Sequence, residues 1–201
     1  MNRNDLRELH YITPISNVVS IMSKGIFSHK RSKKIQHDSV AMQEIQDRRK
    51  NKVVPGGQPL HDYVNLYINA KNKMLFRVLH QGKAHHADLC ILKVQTDILD
   101  LPNVVVADRN ASSDYARFAP APDGLRNVHH DLVFAKYWTH PDNPIEELRH
   151  GSIMCAEVLV PDRVDPVFIT GAYVSCSNAK ASVEALNVGI SVTVNAHLFF
   201  R

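Results

Sequence analysis

Three cysteines are all the chain has, Cys90, Cys155 and Cys176, and they are too widely spaced for a CxxC metal pair or a disulfide framework. Cys90 and Cys155 lie in apolar runs and read as buried thiols, which favours a reducing compartment. There is no HExxH, no GxGxxG and no GxxxxGK, which removes the common zinc-hydrolase and nucleotide-loop fingerprints and leaves Gly56–Gly57 as a plain turn. No apolar stretch approaches the roughly 20 residues a membrane helix needs. The opening MNRNDLREL lacks the apolar core of a signal peptide, so the chain reads as cytoplasmic, with no membrane partner. Internal repeats and low-complexity segments are also missing.

What remains is the composition of an ordinary globular protein, 44% hydrophobic and 22% charged, in 201 residues that suit one domain, 1–201. The formal net charge of +4 is compatible with a polyanionic partner without demanding one. Twelve histidines raise the question of a metal. The adjacent pairs His85–His86 and His129–His130 would each offer one ligand at most on an extended chain, so no metal site is expected.

The pattern along the chain predicts helices early and strands late, an α+β order. Leu9 to Thr13 reads as extended. Ser16 is placed to cap a helix that Gly25 stops, and Asp38 or Ser39 to cap a second one through Arg49 with Val40 and Ile45 inward. VVPGGQP, from Val53, is a loop, and HDYVNLYI a strand with Tyr63, Asn65 and Tyr67 on one face. NKMLFRVLH is ambiguous, whereas ADLCILKV and NVVVAD are buried strands. Arg109 to Asp131 reads as a long functional loop, followed by a short helix in DLVFAKYW. SIMCAEVLV and PVFITGAYVSC read as strands about a Pro-Asp turn. SNAKASVEAL reads as a helix capped by Ser177, and ISVTVNAHLFF as a closing strand.

Two features suggest chemistry. Glu157 lies within the apolar run SIMCAEVLV, where a carboxylate costs several kcal/mol unless paired or set in a cleft. One reading is an ion pair with Arg149 or Arg163; the other is a carboxylate that binds hydroxyls and steadies developing positive charge. The stretch from Arg109 mixes Asn110, Tyr115, Arg117 and Phe118, with Tyr137 and Trp138 further on. Arginines interleaved with aromatics suit single-stranded nucleic acid, because bases stack on rings and guanidinium groups meet phosphates. The alternative is that Phe118, Tyr137 and Trp138 are core.

These pieces stand in a specific order: HYITPISNVVSIMSKGIFSH, VAMQEIQDRRKNKVVPGGQPLHDYVNLYI, NKMLF, ADRNASSDYARF, KYW and CAEVLV. In that order, and over about its whole length, the chain resembles the DarT family of DNA ADP-ribosyltransferase toxins. The resemblance implies the ADP-ribosyltransferase fold, a split β-sheet core with N-terminal helices and an NAD cleft. It implies NAD as co-substrate, no metal, a thymine or guanine base of single-stranded DNA as acceptor, and a macrodomain antitoxin as partner. The family's catalytic glutamate falls on Glu157 and its essential arginine on Arg48, the first of the pair in IQDRR. The segment that helps hold NAD falls on His10, Tyr11 and Thr13, with Asn17 and Gly25 following. The family writes Tyr-His-Ile-Thr where this chain has His10-Tyr11-Ile12-Thr13, so Tyr11 stands at the histidine's position unless the strand slips by one residue. Arg109, Asn110, Tyr115, Arg117, Trp138 and Arg149 are the expected DNA contacts, and the chain is expected to act as a monomer. An acceptor in RNA or protein, simple NAD hydrolysis and a non-catalytic nucleic-acid-binding domain are the competing functions.

Overall fold

A computed structural model describes residues 1–201. In chain order the elements are β1 (Leu9–Pro14), α1 (Val18–Lys24), β2 (Ile26–Phe27), α2 (His29–Ser32), α3 (Gln43–Lys50) and β3 (Tyr63–Tyr67). There follow α4 (Lys73–His80), β4 (Leu89–Val94), β5 (Val105–Ala107), β6 (Phe118–Pro120), α5 (His130–Val133) and α6 (Pro144–Ile153). The chain ends with β7 (Glu157–Pro161), β8 (Arg163–Val164), β9 (Ile169–Val174), α7 (Ser177–Glu184) and β10 (Ser191–Val194).

Eight strands form one sheet in the order β10-β9-β4-β1-β3-β7-β5-β6, and β2 pairs with β8 beside it. The pairings are antiparallel except β9 with β10. β1 pairs with β4 along its whole length, from Leu9↔Val94 to Pro14↔Leu89. Against β3 it is held only at His10↔Tyr67. The sheet therefore splits above that point, and Tyr11 to Pro14 diverge from the start of β3. This is the split α+β core that the sequence led us to expect.

The core explains why ADLCILKV is apolar without interruption. Cys90, Leu92 and Val94 pack on one sheet face with Val18 and Ile21 of α1 and Ala179 and Val183 of α7. Leu89 and Ile91 pack on the other with Leu75 and Val78 of α4. A strand covered on both faces has no polar positions to alternate, and each such side chain stabilises the fold by about 1.5–3 kcal/mol. Burial pushes the Cys90 and Cys155 thiols up to about 12, as befits core residues.

Several local expectations change. SIMCAEVLV is not a strand throughout: α6 runs to Ile153, and β7 begins at Glu157. The helix signal lies further upstream, where Asn143 accepts from the Glu146 amide ahead of Pro144, Glu146 and Glu147 in the first turn. NKMLFRVLH resolves as the helix α4, because Asn72 Oδ1 accepts from the Met74 and Leu75 amides at 2.9 and 3.0 Å. The second helix starts at Gln43 rather than at residue 38 or 39, and only His130–Val133 of DLVFAKYW is helical. Ser16 and Ser177 do not cap, and the 109–131 stretch is not all loop, since it contains β6. The closing pattern ends as a strand at Val194, and a helical turn, Ala196–Phe199, follows.

Candidate active site

β7 lies between β3 and β5, and its first residue, Glu157, pairs with Tyr67 on one side and Ala107 on the other. Side chains directly opposite across strands share a face, so Glu157 lies beside Tyr67, which in turn pairs with His10 at the point where the sheet splits. The Glu157 carboxylate is fully buried. It accepts from Arg49 Nη1 at 3.0 and 3.3 Å and from the Ala111 amide at 3.3 Å. Burial first, and then the Glu157 charge, hold the Tyr67 hydroxyl protonated well above its ordinary range.

The arginine that reaches Glu157 is therefore Arg49, not Arg48. On an α-helix, neighbours point about 100° apart while residues four apart share a face. Ile45 and Arg49 both turn inward from α3 and are buried, whereas Arg48 is exposed and makes no hydrogen bond to Glu157. Arg49 Nη2 is buried without a partner.

Two clefts flank this pair. The first opens where the sheet splits and is lined by Tyr11, Thr13, Asn17, Gly25, Tyr63, Tyr67, Arg49 and Asn110 among others. Tyr11, Thr13, Asn17 and Gly25 thus sit together as the sequence suggested. His10 does not line this cleft: its imidazole lies between the Tyr67 carbonyl and Glu8, both at 3.3 Å. Tyr11 belongs to the strand segment that borders the cleft, and its side chain also packs against the main core. Asn17 donates to Thr13 Oγ1 at 3.2 Å and to the Asp38 carbonyl at 2.8 Å, and accepts from the Asp38 amide at 3.1 Å. It thereby pins the segment before α3 over the cleft mouth. Gly25 has φ +91°, and a Cβ there would stand 2.3 Å from the Val164 carbonyl oxygen, so no other residue fits.

The second cleft is strongly basic. Arg48, Lys73, Arg77, Arg109 and Arg149 line it with Tyr115, and α6 adds exposed Ile145 and Leu148. Ile45, Met74 and Asn110 border both clefts, so the two meet beside Arg49 and Glu157. Asp108 organises the loop along it, accepting from Arg109 Nε and Nη2 and from the Arg117 amide and Nε at 2.9–3.1 Å. Burial alone would push Asp108 up, but these arginine hydrogen bonds outweigh it and hold the carboxyl below its usual range.

Of the expected DNA contacts, Arg109, Asn110, Tyr115 and Arg149 line this second cleft. Arg117 is exposed on the same loop but does not line it. Trp138 is buried, and its ring meets those of Phe76 and Phe200 edge-on at 5.2 and 6.0 Å; it is a core residue, not a base platform. Sequence reasoning missed Arg49, Lys73, Arg77 and the apolar edge of α6. The signal for Arg49 was present, since it stands four residues after Ile45, already read as inward.

A family model described as DarT, ssDNA thymidine ADP-ribosyltransferase, matches residues 10–200. The chain belongs to the DarT family. A DNA ADP-ribosyl transferase–DNA ADP-ribosyl glycohydrolase fusion protein of Thermosipho africanus is 32% identical over 196 residues, 92% of this chain and 47% of the relative. The chain thus spans about half the length of that fusion protein. The solved structure of Thermosipho africanus DarTG in complex with ADP-ribose superposes with a TM-score of 0.84, covering 97% of this chain and 51% of that one. Thermus sp. 2.9 DarT in complex with ADP-ribosylated ssDNA gives a TM-score of 0.83 at 24% identity, covering 99% of both chains, and so shares the DarT fold. No group of three or more His, Cys, Asp or Glu converges in the chain, and no helix is long and apolar enough to cross a membrane.

Proposed function

We propose that this chain transfers ADP-ribose from NAD to a thymine base in single-stranded DNA, as the toxin of a pair whose antitoxin is a macrodomain. The observation that carries the reading is the meeting of a partly enclosed cleft and an open basic cleft beside Glu157 and Arg49. One cleft suits the donor and the other a polyanionic acceptor. The family description names thymidine in single-stranded DNA, and the Thermosipho africanus relative carries a glycohydrolase in the same chain. Residues 1–201 act in this reading as one transferase domain and as a monomer.

The residues divide the work as follows. Breaking the nicotinamide–ribose bond returns an electron pair to the pyridinium ring and leaves positive charge on the ribose. Glu157 stabilises that charge and orients ribose hydroxyls, in a water-poor site where such an interaction is strong. Arg49 pairs with the carboxylate and fixes its orientation in the site. Arg49 Nη2, without a protein partner, is the free donor for the diphosphate or a base carbonyl. The base nitrogen attacks the anomeric carbon, and its proton leaves to water in the open second cleft. Arg48, Arg109 and Arg149 meet phosphates, and Tyr115 offers a stacking face.

Incubation with NAD and single-stranded oligonucleotides of defined sequence, followed by mass spectrometry, tests this. ADP-ribose on thymine is the expected product. Modified protein alone, modified RNA alone, or free ADP-ribose without a DNA adduct would each overturn it.

A further inference from the structure

The cleft at the sheet split is short of positive charge. Its only basic side chains are Arg49, His29 and His37, and its only carboxylate is Asp38. Arg49 is already paired with Glu157. With both histidines neutral and Arg49 offset by Glu157, Asp38 is left uncompensated, yet a diphosphate brings about two further negative charges.

His29 is built to supply it. It is the first residue of α2, partly buried in the cleft wall, and neither ring nitrogen bonds to a protein group. Its ring lies 4.3 Å from that of His61, whose Nε2 is itself buried without a partner. The ion pair of Lys30 with Asp62, at 2.8 Å, ties the same two segments together. His37, by contrast, is exposed and bonds the Ile35 carbonyl at 3.1 Å, where solvent screens any charge it carries. The unpartnered Nη2 of buried Arg49, in the same cleft, is a second polar atom awaiting an anion.

Resting on the reading of this cleft as the NAD site, we propose that His29 is a proton-coupled ligand of the NAD diphosphate. The groups facing His29 fit this. Burial first, then His61, Lys33, Arg49 and His37, lower its pKa to about 4 in the free protein, with Lys30 and Asp62 held in their own pair. A diphosphate against the ring reverses the balance, because an opposite charge favours the imidazolium. A proton is then taken up at any pH between the free and bound values, and affinity weakens as pH rises across that window and is constant above it.

Calorimetric titration with ADP-ribose, which carries the diphosphate but no leaving group, reads this directly. Repeating it at pH 6 in buffers of different ionisation enthalpy counts protons. The expected uptake approaches one proton per ligand, with affinity falling about tenfold per pH unit between the free and bound values and levelling off above the bound one. His29→Asn should abolish the uptake, and should raise KM for NAD about tenfold with kcat little changed. Binding without proton uptake, or uptake unchanged in His29→Asn, would overturn the role of His29 while leaving the cleft intact. No binding of ADP-ribose at all would overturn the reading of the cleft, and this proposal with it.

Discussion

Arg49 and Glu157 stand 108 residues apart in sequence and meet at 3.0 Å, with the carboxylate wholly buried and the guanidinium almost so. Arg49 lines the first cleft with the Glu157 carboxylate buried behind it, and the asymmetry of the pair is informative. Nη1 serves both carboxylate oxygens while Nη2 serves nothing. A purely structural ion pair would satisfy all its donors.

Arg49→Ala and Arg48→Ala should therefore separate cleanly. Removing Arg49 leaves a buried, unpaired carboxylate, a loss of about 3–5 kcal/mol visible as a lowered Tm. Transfer should fall at least about a hundredfold. Arg49→Lys keeps the charge without the planar fork and should recover part of the stability and little of the rate. Arg48→Ala should change stability by less than about 0.5 kcal/mol and leave NAD consumption near normal. Its effect should appear in DNA affinity, as a shallower salt dependence. If Arg48→Ala proves the inactive variant and Arg49→Ala the active one, the assignment is reversed.

Trp138 gives a contrasting case. Trp138→Ala should destabilise the fold by about 3–5 kcal/mol, since it empties the space beside Phe76 and Phe200. Trp138→Phe, which keeps an aromatic edge, should bind DNA with the same affinity and salt slope as the parent chain. A selective loss of DNA affinity in Trp138→Phe at normal Tm would make it a base platform after all.

Asp108 predicts an acid limit for the DNA-facing loop. Its folded pKa is depressed, so its contribution to stability is present above the ordinary carboxylate value and lost as pH falls through the folded value. Thermal unfolding followed from pH 6 downward should show stability falling below about pH 4. Asp108→Asn should start lower at neutral pH and lack that part of the acid dependence. Parallel curves for the two chains would mean the arginine hydrogen bonds to Asp108 do not stabilise the loop.

How much of this was legible in the sequence depends on how far the deciding interaction reached along the chain. The doubly buried β4, the Gly25 stop and the VVPGG turn were readable because local composition determines them. The start of β7 was misplaced because apolar residues continue from the end of α6 into the strand, and periodicity cannot separate the two. Glu157 was legible as a carboxylate in apolar surroundings, but its partner lies 108 residues away, and the adjacency of Arg48 and Arg49 does not by itself say which one folds inward. Only the helical step from Ile45 to Arg49 carries that information. Trp138 was misread because an arginine-rich neighbourhood says nothing of a ring buried against residues 76 and 200. The His29–His61 ring contact joins α2 to the helical turn before β3, segments distant in sequence, and left no local trace.

The central claim is that Glu157 makes this chain a transferase acting on DNA, and one comparison tests it most directly. Wild type and Glu157→Gln are each incubated with NAD and a thymine-containing single-stranded oligonucleotide, and the DNA is examined by mass spectrometry. Glu157→Gln keeps the shape of the side chain but not its charge. Wild type should yield ADP-ribosylated thymine, and Glu157→Gln should yield at least about a hundredfold less while still binding ADP-ribose. Unmodified DNA from wild type, or equal modification by the two chains, would contradict the account.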